Sequence, residues 1–143
     1  MQHTVIVDAE LDGTVEAVWA VLSDMPGYAS WDPRAGQVRL DGPFATGTTG
    51  HVVSPAGKGS TLLLSEVVPT ERWTSELPLP GGRLVMTYVL APAGPGRVRV
   101  TKTYVAHGPV SLAFRVWYAR AIRRELPATF AALEVEAARR IRA

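Results

Sequence analysis

Cysteine is absent from the 143 residues, which removes disulfides, thiolate metal sites, iron–sulfur clusters and a cysteine nucleophile together. Lysine is scarce, with only Lys58 and Lys102 among fifteen basic residues, the rest being arginine. No stretch approaches the roughly 18 consecutive apolar residues of a membrane-spanning helix. The opening MQHTVIVDAELDG carries Asp8, Glu10 and Asp12 where a signal peptide needs an apolar block, so the chain reads as cytoplasmic. The common catalytic motifs are missing: no G-x-S-x-G elbow, no phosphate loop, no G-x-G-x-x-G and no H-E-x-x-H. His3, His51 and His107 are isolated in sequence, so neither a metal site nor a nucleotide cofactor is expected. A net charge of +2 is too small to argue for a nucleic-acid partner.

What is present is an ordinary globular composition, 47% hydrophobic and 20% charged. Residues 1–143 are expected to form one domain with one core. A chain of this size buries about 68 to 70% of its unfolded surface, enough to sustain an internal cavity.

Gln2 to Glu10 is β-branched at its centre and reads as a strand, stopped by Asp12-Gly13. Thr14 can cap a helix whose apolar positions Val15, Val18, Trp19 and Leu22 follow the i, i+3, i+4, i+7 spacing. Ser23 to Pro26 starts a second short helix that carries Tyr28 and Trp31 and ends at Asp32-Pro33. From Arg34 to Ala106, short runs rich in Val, Thr, Leu, Tyr and Trp alternate with Gly and Pro breaks. Six strands fit there, seven with the first, and the short connections make neighbours antiparallel. After Gly108-Pro109 a helix is predicted from Ser111, its expected cap, to Ala143. Leu112, Val116, Ala119, Ile122, Leu126, Phe130, Leu133, Ala137 and Ile141 form its apolar stripe. At 1.5 Å per residue it would span about 50 Å, against a radius of gyration near 14 to 15 Å for this size. Pro127 is the expected bend. The fold class is α+β: a seven-stranded antiparallel sheet wrapped around a long C-terminal helix, with two short helices after strand 1. One helix is too narrow to fill the concavity of such a sheet, so a cavity is expected.

Several local motifs occur along this order. They are Val18-Trp19 with Leu22-Ser23-Asp24, Tyr28-Ala29-Ser30-Trp31-Asp32-Pro33, Gly47-Thr48 with Gly50, and Glu66-Val67-Val68-Pro69 with Arg72-Trp73. Beyond them lie Gly96 to Thr101, Gly108-Pro109, and Leu126-Pro127 followed by Leu133. Together they resemble the START-like superfamily, also called SRPBCC or the helix-grip fold, which includes the birch-pollen-allergen proteins and the polyketide cyclase/dehydrase family. The resemblance covers nearly the whole chain and implies a cavity for an apolar ligand. Relatives often carry a histidine near the position of Tyr88, so a phenol here puts that residue's role in doubt.

In Leu84 to Leu90, residues 84, 86, 88 and 90 share one face, expected to look inward, which makes Leu84, Met86 and Tyr88 candidate ligand contacts. Tyr28, Trp31, Trp73 and Tyr118 are the large aromatics able to line or close the cavity. Arg115, three residues from Leu112, is the arginine expected to reach the cavity mouth, where a guanidinium orients a carboxylate or enolate oxygen. His51 has an unperturbed pKa of about 6.5, suited to proton transfer near neutrality. Glu66 stands out as a carboxylate within an apolar strand and, if inward-facing, would have a raised pKa. His51, Glu66 and Tyr88 are therefore the candidate catalytic groups.

Two functions follow. One is a hydrophobic-ligand-binding domain with aromatase/cyclase-like activity, folding a poly-β-ketone for aldol closure and dehydration. The other is a non-catalytic carrier or sensor of a lipid, sterol, quinone or secondary metabolite. A third rests on charge alone: an interaction module using the arginine-rich C-terminal helix. Oligomeric state is not readable from the sequence.

Overall fold

The structure is a computed structural model that describes residues 1–34 and 36–142. β1 (Gln2–Asp12) is followed by a first helix, Val15–Leu22, and a 3-10 turn, Met25–Ser30. Six strands come next: β2 (Gln37–Leu40), β3 (Thr49–Val53), β4 (Gly59–Val68), β5 (Arg72–Leu79), β6 (Gly82–Pro92) and β7 (Arg97–His107). They form one sheet in the order β1-β7-β6-β5-β4-β3-β2, antiparallel throughout. The sequence order strand, helices, meander, helix is therefore realised, with β1 closing onto β7.

Thr14 caps the first helix as expected, its Oγ1 accepting from Ala17 N at 3.1 Å. Val18 and Leu22 of the expected stripe are buried, joined by Val21. The second short helix is a 3-10 turn with Pro26 in its first turn. Tyr28 and Trp31 pack edge to face with ring centroids 5.3 Å apart.

The C-terminal helix begins as Ser111–Ala113, opens into a π turn over Phe114–Tyr118, and continues as Ala119–Arg142. Ala143, the expected end, lies outside the described residues. Val110, not Ser111, is the N-cap, and no side chain bonds there. Gly108 makes the turn ahead of this helix at φ 100°, where its missing Cβ leaves room for Gly81 O.

The π turn alters the buried stripe. Ser111, Phe114, Ala119, Ile122, Leu126, Phe130, Leu133 and Ala137 are buried, with a five-residue step from Phe114 to Ala119. A π turn takes one extra residue per turn, so the positions before it rotate out of phase with those after. Leu112 and Val116, expected on the stripe, are exposed for this reason, and Ile141 is exposed in the last turn.

The helix lies against the first helix and β1 over the concave face of the sheet. Val5, Leu11, Leu62, Leu64, Val98 and Val100 project from that face into the core, where they meet Leu126, Phe130 and Leu133. Burial of each such side chain contributes about 1.5 to 3 kcal/mol.

Candidate functional site

Alternation in β6 sends Leu84, Met86, Tyr88 and Leu90 to the concave face, as read from the sequence. On β7 the same period sends Val98, Val100, Lys102, Tyr104 and Ala106 inward. Tyr88 and Lys102 are direct partners in the antiparallel register, as are Met86 and Tyr104. Leu77, Leu84, Met86 and Lys102 face the helix yet keep partial accessibility, so the helix does not seal this part of the concave face.

Lys102 is the inward cation. Its Nζ stands 4.6 Å from the Tyr88 ring centroid and 4.9 Å from that of Tyr104, within cation–π range of both. Burial disfavours the ammonium, but Tyr88 and Tyr104 outweigh it and hold the group above the ordinary lysine value. Burial also raises Tyr88, more than Lys102 lowers it, so the phenol stays protonated. Tyr28 is raised well above its ordinary value, first by burial and then by the charges facing it, and its hydroxyl donates to Leu22 O.

Asp32 follows the 3-10 turn, and its charge reaches both Tyr28 and Tyr88. Its Oδ1 accepts from Thr129 Oγ1 at 3.2 Å and from Arg34 N at 2.9 Å, fixing the carboxylate to the C-terminal helix. Trp73 is 3% exposed and stacks on Tyr88 at 5.3 Å. The indole N–H groups of Trp31 and Trp73 are buried and meet no acceptor among the described residues. Two indole donors, three phenols and an ammonium thus share this half of the interior, an arrangement that favours a guest with acceptor oxygens.

Tyr28, Trp31, Trp73, Leu84, Met86 and Tyr88 lie in this interior half, while the other sequence candidates lie elsewhere. His51 sits on the convex face opposite Thr61, exposed, its Nε2 3.7 Å from Asp41 Oδ2. Glu66 is exposed and accepts from Arg72 Nε at 2.9 Å. A β-bulge between Leu64 and Glu66 explains the latter. Leu62 and Leu64 point inward, strict alternation would carry Glu66 with them, and the extra residue turns it out. Arg115 and Tyr118 fall in the π turn and are exposed, Tyr118 lying on Phe114 with centroids 6.2 Å apart.

An open groove of ≈ 390 Å³ runs over the sheet beside Asp41, His51, Leu63, Glu76 and Arg83. Its polar side chains already face one another in contact with water, His51 beside Asp41 and Arg83 paired with Glu76 at 3.5 Å. That leaves little to recognise a ligand. A second opening, ≈ 530 Å³, lies between Pro33-Arg34 and Arg124, Glu125 and Ala128 of the C-terminal helix.

Lys102, Tyr104, Asp32 and Thr129 were not singled out from the sequence. The alternation Val98, Val100, Tyr104, Ala106 carries the signal for Lys102, because a residue at position 102 must share their face. No sequence period reports Asp32, which lies beyond a 3-10 turn.

Sheet, short helices and long C-terminal helix together define the helix-grip architecture of START-like proteins. The family described as polyketide cyclase/dehydrase and lipid transport matches residues 2–138, and the chain belongs to it. Among curated proteins no sequence matches. Several solved structures share the fold. The Zhui aromatase/cyclase from Streptomyces sp. R1128 aligns with TM-score 0.80 and 17% identity over 100% of this chain and 98% of that one. A norcoclaurine synthase point mutant from Thalictrum flavum, in complex with a transition-state analogue, gives 0.74 and 14% over 98% and 96%. A START superfamily protein from Mycobacterium smegmatis gives 0.71 and 16% over 96% and 98%.

Proposed function

We propose that residues 1–143 form one domain that binds a hydrophobic small molecule, a lipid, polyketide or aromatic metabolite, between the concave face and the C-terminal helix. The ligand carries a carbonyl or other acceptor oxygen toward Lys102. One observation carries this reading: the inward ammonium of Lys102 held over Tyr88 and Tyr104, with the Trp31 and Trp73 N–H groups unpartnered nearby. Membership of a family described by polyketide cyclisation and lipid transport supports the ligand class.

The same groups suit an aldol cyclisation of a bound poly-β-ketone. A methylene proton passes to the Asp32 carboxylate and its electron pair moves into the adjacent carbonyl, giving an enolate oxygen held by Lys102. The enolate carbon bonds to a second carbonyl carbon of the chain, whose oxygen takes the proton back, and loss of water completes the step. A preorganised ammonium at the developing charge supplies the main stabilisation. The exposed positions of His51 and Glu66 favour the simpler reading, a carrier or sensor in which Lys102 only orients the ligand.

Two fluorescent probes test the binding reading: 8-anilinonaphthalene-1-sulfonate, which brings acceptor oxygens, and the neutral N-phenyl-1-naphthylamine. The expected result is binding of both, with Lys102→Met weakening the sulfonate about tenfold or more and leaving the neutral probe unchanged. Failure of both probes to bind the native protein overturns the reading. Turnover of a poly-β-ketone, abolished by Asp32→Asn with probe binding kept, separates cyclase from carrier.

A further inference from the structure

The first third of the C-terminal helix has an uncovered outer face. Leu112, Val116, Trp117 and Tyr118 are 58%, 50%, 67% and 60% exposed, four large apolar side chains within seven positions. The π turn is the cause, since Phe114 and Ala119 are the buried anchors and the four residues between them all face water. Met1, 86% exposed, is tied beside them, its carbonyl accepting from Gly108 N at 2.9 Å. The β5–β6 turn comes up against Pro109, so Pro80 and Pro109 extend the same apolar end.

Charge on this segment has one sign. Arg115, Arg120, Arg123 and Arg124 fall between Ser111 and Arg124 with no acidic residue among them. Most arginines elsewhere are paired, Arg97 and Arg99 with Asp8, Glu10 and Asp12, Arg139 and Arg140 with Glu136 and Asp24, whereas Arg39 and Arg142 stand singly among the described residues. Among the described residues no carboxylate pairs with Arg115, Arg120 or Arg123, while Arg124 reaches Glu125 at 4.0 Å. Trp117, Arg120 and Arg124 are spaced three and four apart, so apolar and cationic groups share one face.

We propose that this end of the molecule is a peripheral docking surface for an anionic phospholipid bilayer. Aromatic rings with polar tips settle at the headgroup level, aliphatic side chains enter the acyl boundary, and unpaired arginines meet the phosphates. A second copy of this chain is a poorer occupant, because facing patches would bring the unpaired Arg115, Arg120 and Arg123 of each copy against those of the other. Phosphate alone would leave Leu112, Val116 and Met1 in water. No described helix is long and apolar enough to cross a membrane, so the contact is superficial.

The inference stands apart from the ligand reading, and co-sedimentation with vesicles tests it. The native chain is expected to pellet with vesicles of phosphatidylcholine containing roughly one third phosphatidylglycerol, and not with phosphatidylcholine alone. Binding should fall at ~0.5 M salt. The pairs Trp117→Ala/Tyr118→Ala and Arg120→Glu/Arg124→Glu should each weaken partitioning about tenfold or more with the melting temperature unchanged, since all four residues are exposed. Arg39→Glu on β2, exposed and outside this face, should bind vesicles as the native chain does. No binding to mixed vesicles, equal binding to neutral ones, or full binding by both pairs overturns the proposal. A concentration-dependent dimer that the same pairs disrupt, without vesicle binding, overturns it in favour of a self-interface.

Discussion

Lys102 lies directly opposite Tyr88 in the β6–β7 ladder, and its Nζ stands 4.6 Å from the centroid of the Tyr88 ring. Register makes this pairing rigid, because two long inward side chains on facing positions of central strands have few other places to go. Lys102 is held above its ordinary value and Tyr88 above its own, so neither changes charge across the neutral range. Any stability that Lys102 gains from the raised value is fully present below its unfolded pKa and is lost only as pH climbs through the folded one. Affinity for 8-anilinonaphthalene-1-sulfonate should accordingly stay flat from about pH 6 to 9. A titration curve with a midpoint near neutrality would assign recognition to a histidine instead.

His51→Ala and Glu66→Gln should leave probe binding intact and change stability by no more than about 0.5 kcal/mol. Both side chains are exposed, each with one exposed partner, Asp41 and Arg72 respectively. Denaturant melts and fluorescence titrations on the two variants check this. A tenfold loss of affinity in His51→Ala would point to the groove beside Asp41 and His51, and one in Glu66→Gln to the outer face of β4 beside Arg72.

Legibility followed local regularity. Strand β6 obeys strict alternation, so its inward set Leu84, Met86, Tyr88 and Leu90 was readable in advance, and Thr14 and its cap were equally local. Two irregularities of one residue each hid the rest. The bulge beside Ser65 reversed Glu66, and the π turn at Phe114–Tyr118 rotated Leu112, Arg115, Val116 and Tyr118 away from their expected faces. Neither carries a glycine or proline to mark it, because both are set by tertiary fit and not by backbone propensity. Asp32 needed the packing of the 3-10 turn against Thr129, a contact across 97 positions.

Glu136 should make the fold acid-sensitive. Its side chain is 8% exposed and accepts from Arg139 and Arg140, at 2.7 to 2.8 Å, while Arg140 continues to Asp24 at 3.0 Å. Those hydrogen bonds hold the carboxyl at about 2, below its ordinary 4.5. With the folded value depressed, the contribution is complete above about pH 4.5 and disappears as pH falls toward 2. Glu136→Gln should cost about 1 to 3 kcal/mol at neutral pH and flatten the decline in stability between these limits. Urea melts at pH 6 and pH 3 measure both, and an equal native and variant slope with pH would assign the acid response to other carboxylates.

Deleting Val116 tests whether the π turn is a one-residue insertion in an otherwise α-helical stripe. Phe114 and Ala119 are buried five apart, and beyond them Ile122, Leu126, Phe130 and Leu133 keep steps of three and four. Removing one exposed residue between the anchors closes the step to four, so an ordinary α turn can join them without moving either. Far-UV circular dichroism and a thermal melt should show native helicity and a midpoint within a few degrees of the native chain. Deleting Arg123, by contrast, shortens the segment between Ile122 and Leu126 and throws one side of the stripe out of phase. That variant should lose burial of Leu126 or Ile122 and destabilise by about 2 to 5 kcal/mol, the usual cost of emptying a buried leucine or isoleucine site. Equal damage from both deletions would mean that the π turn is built into the packing of Phe114, not tolerated around it.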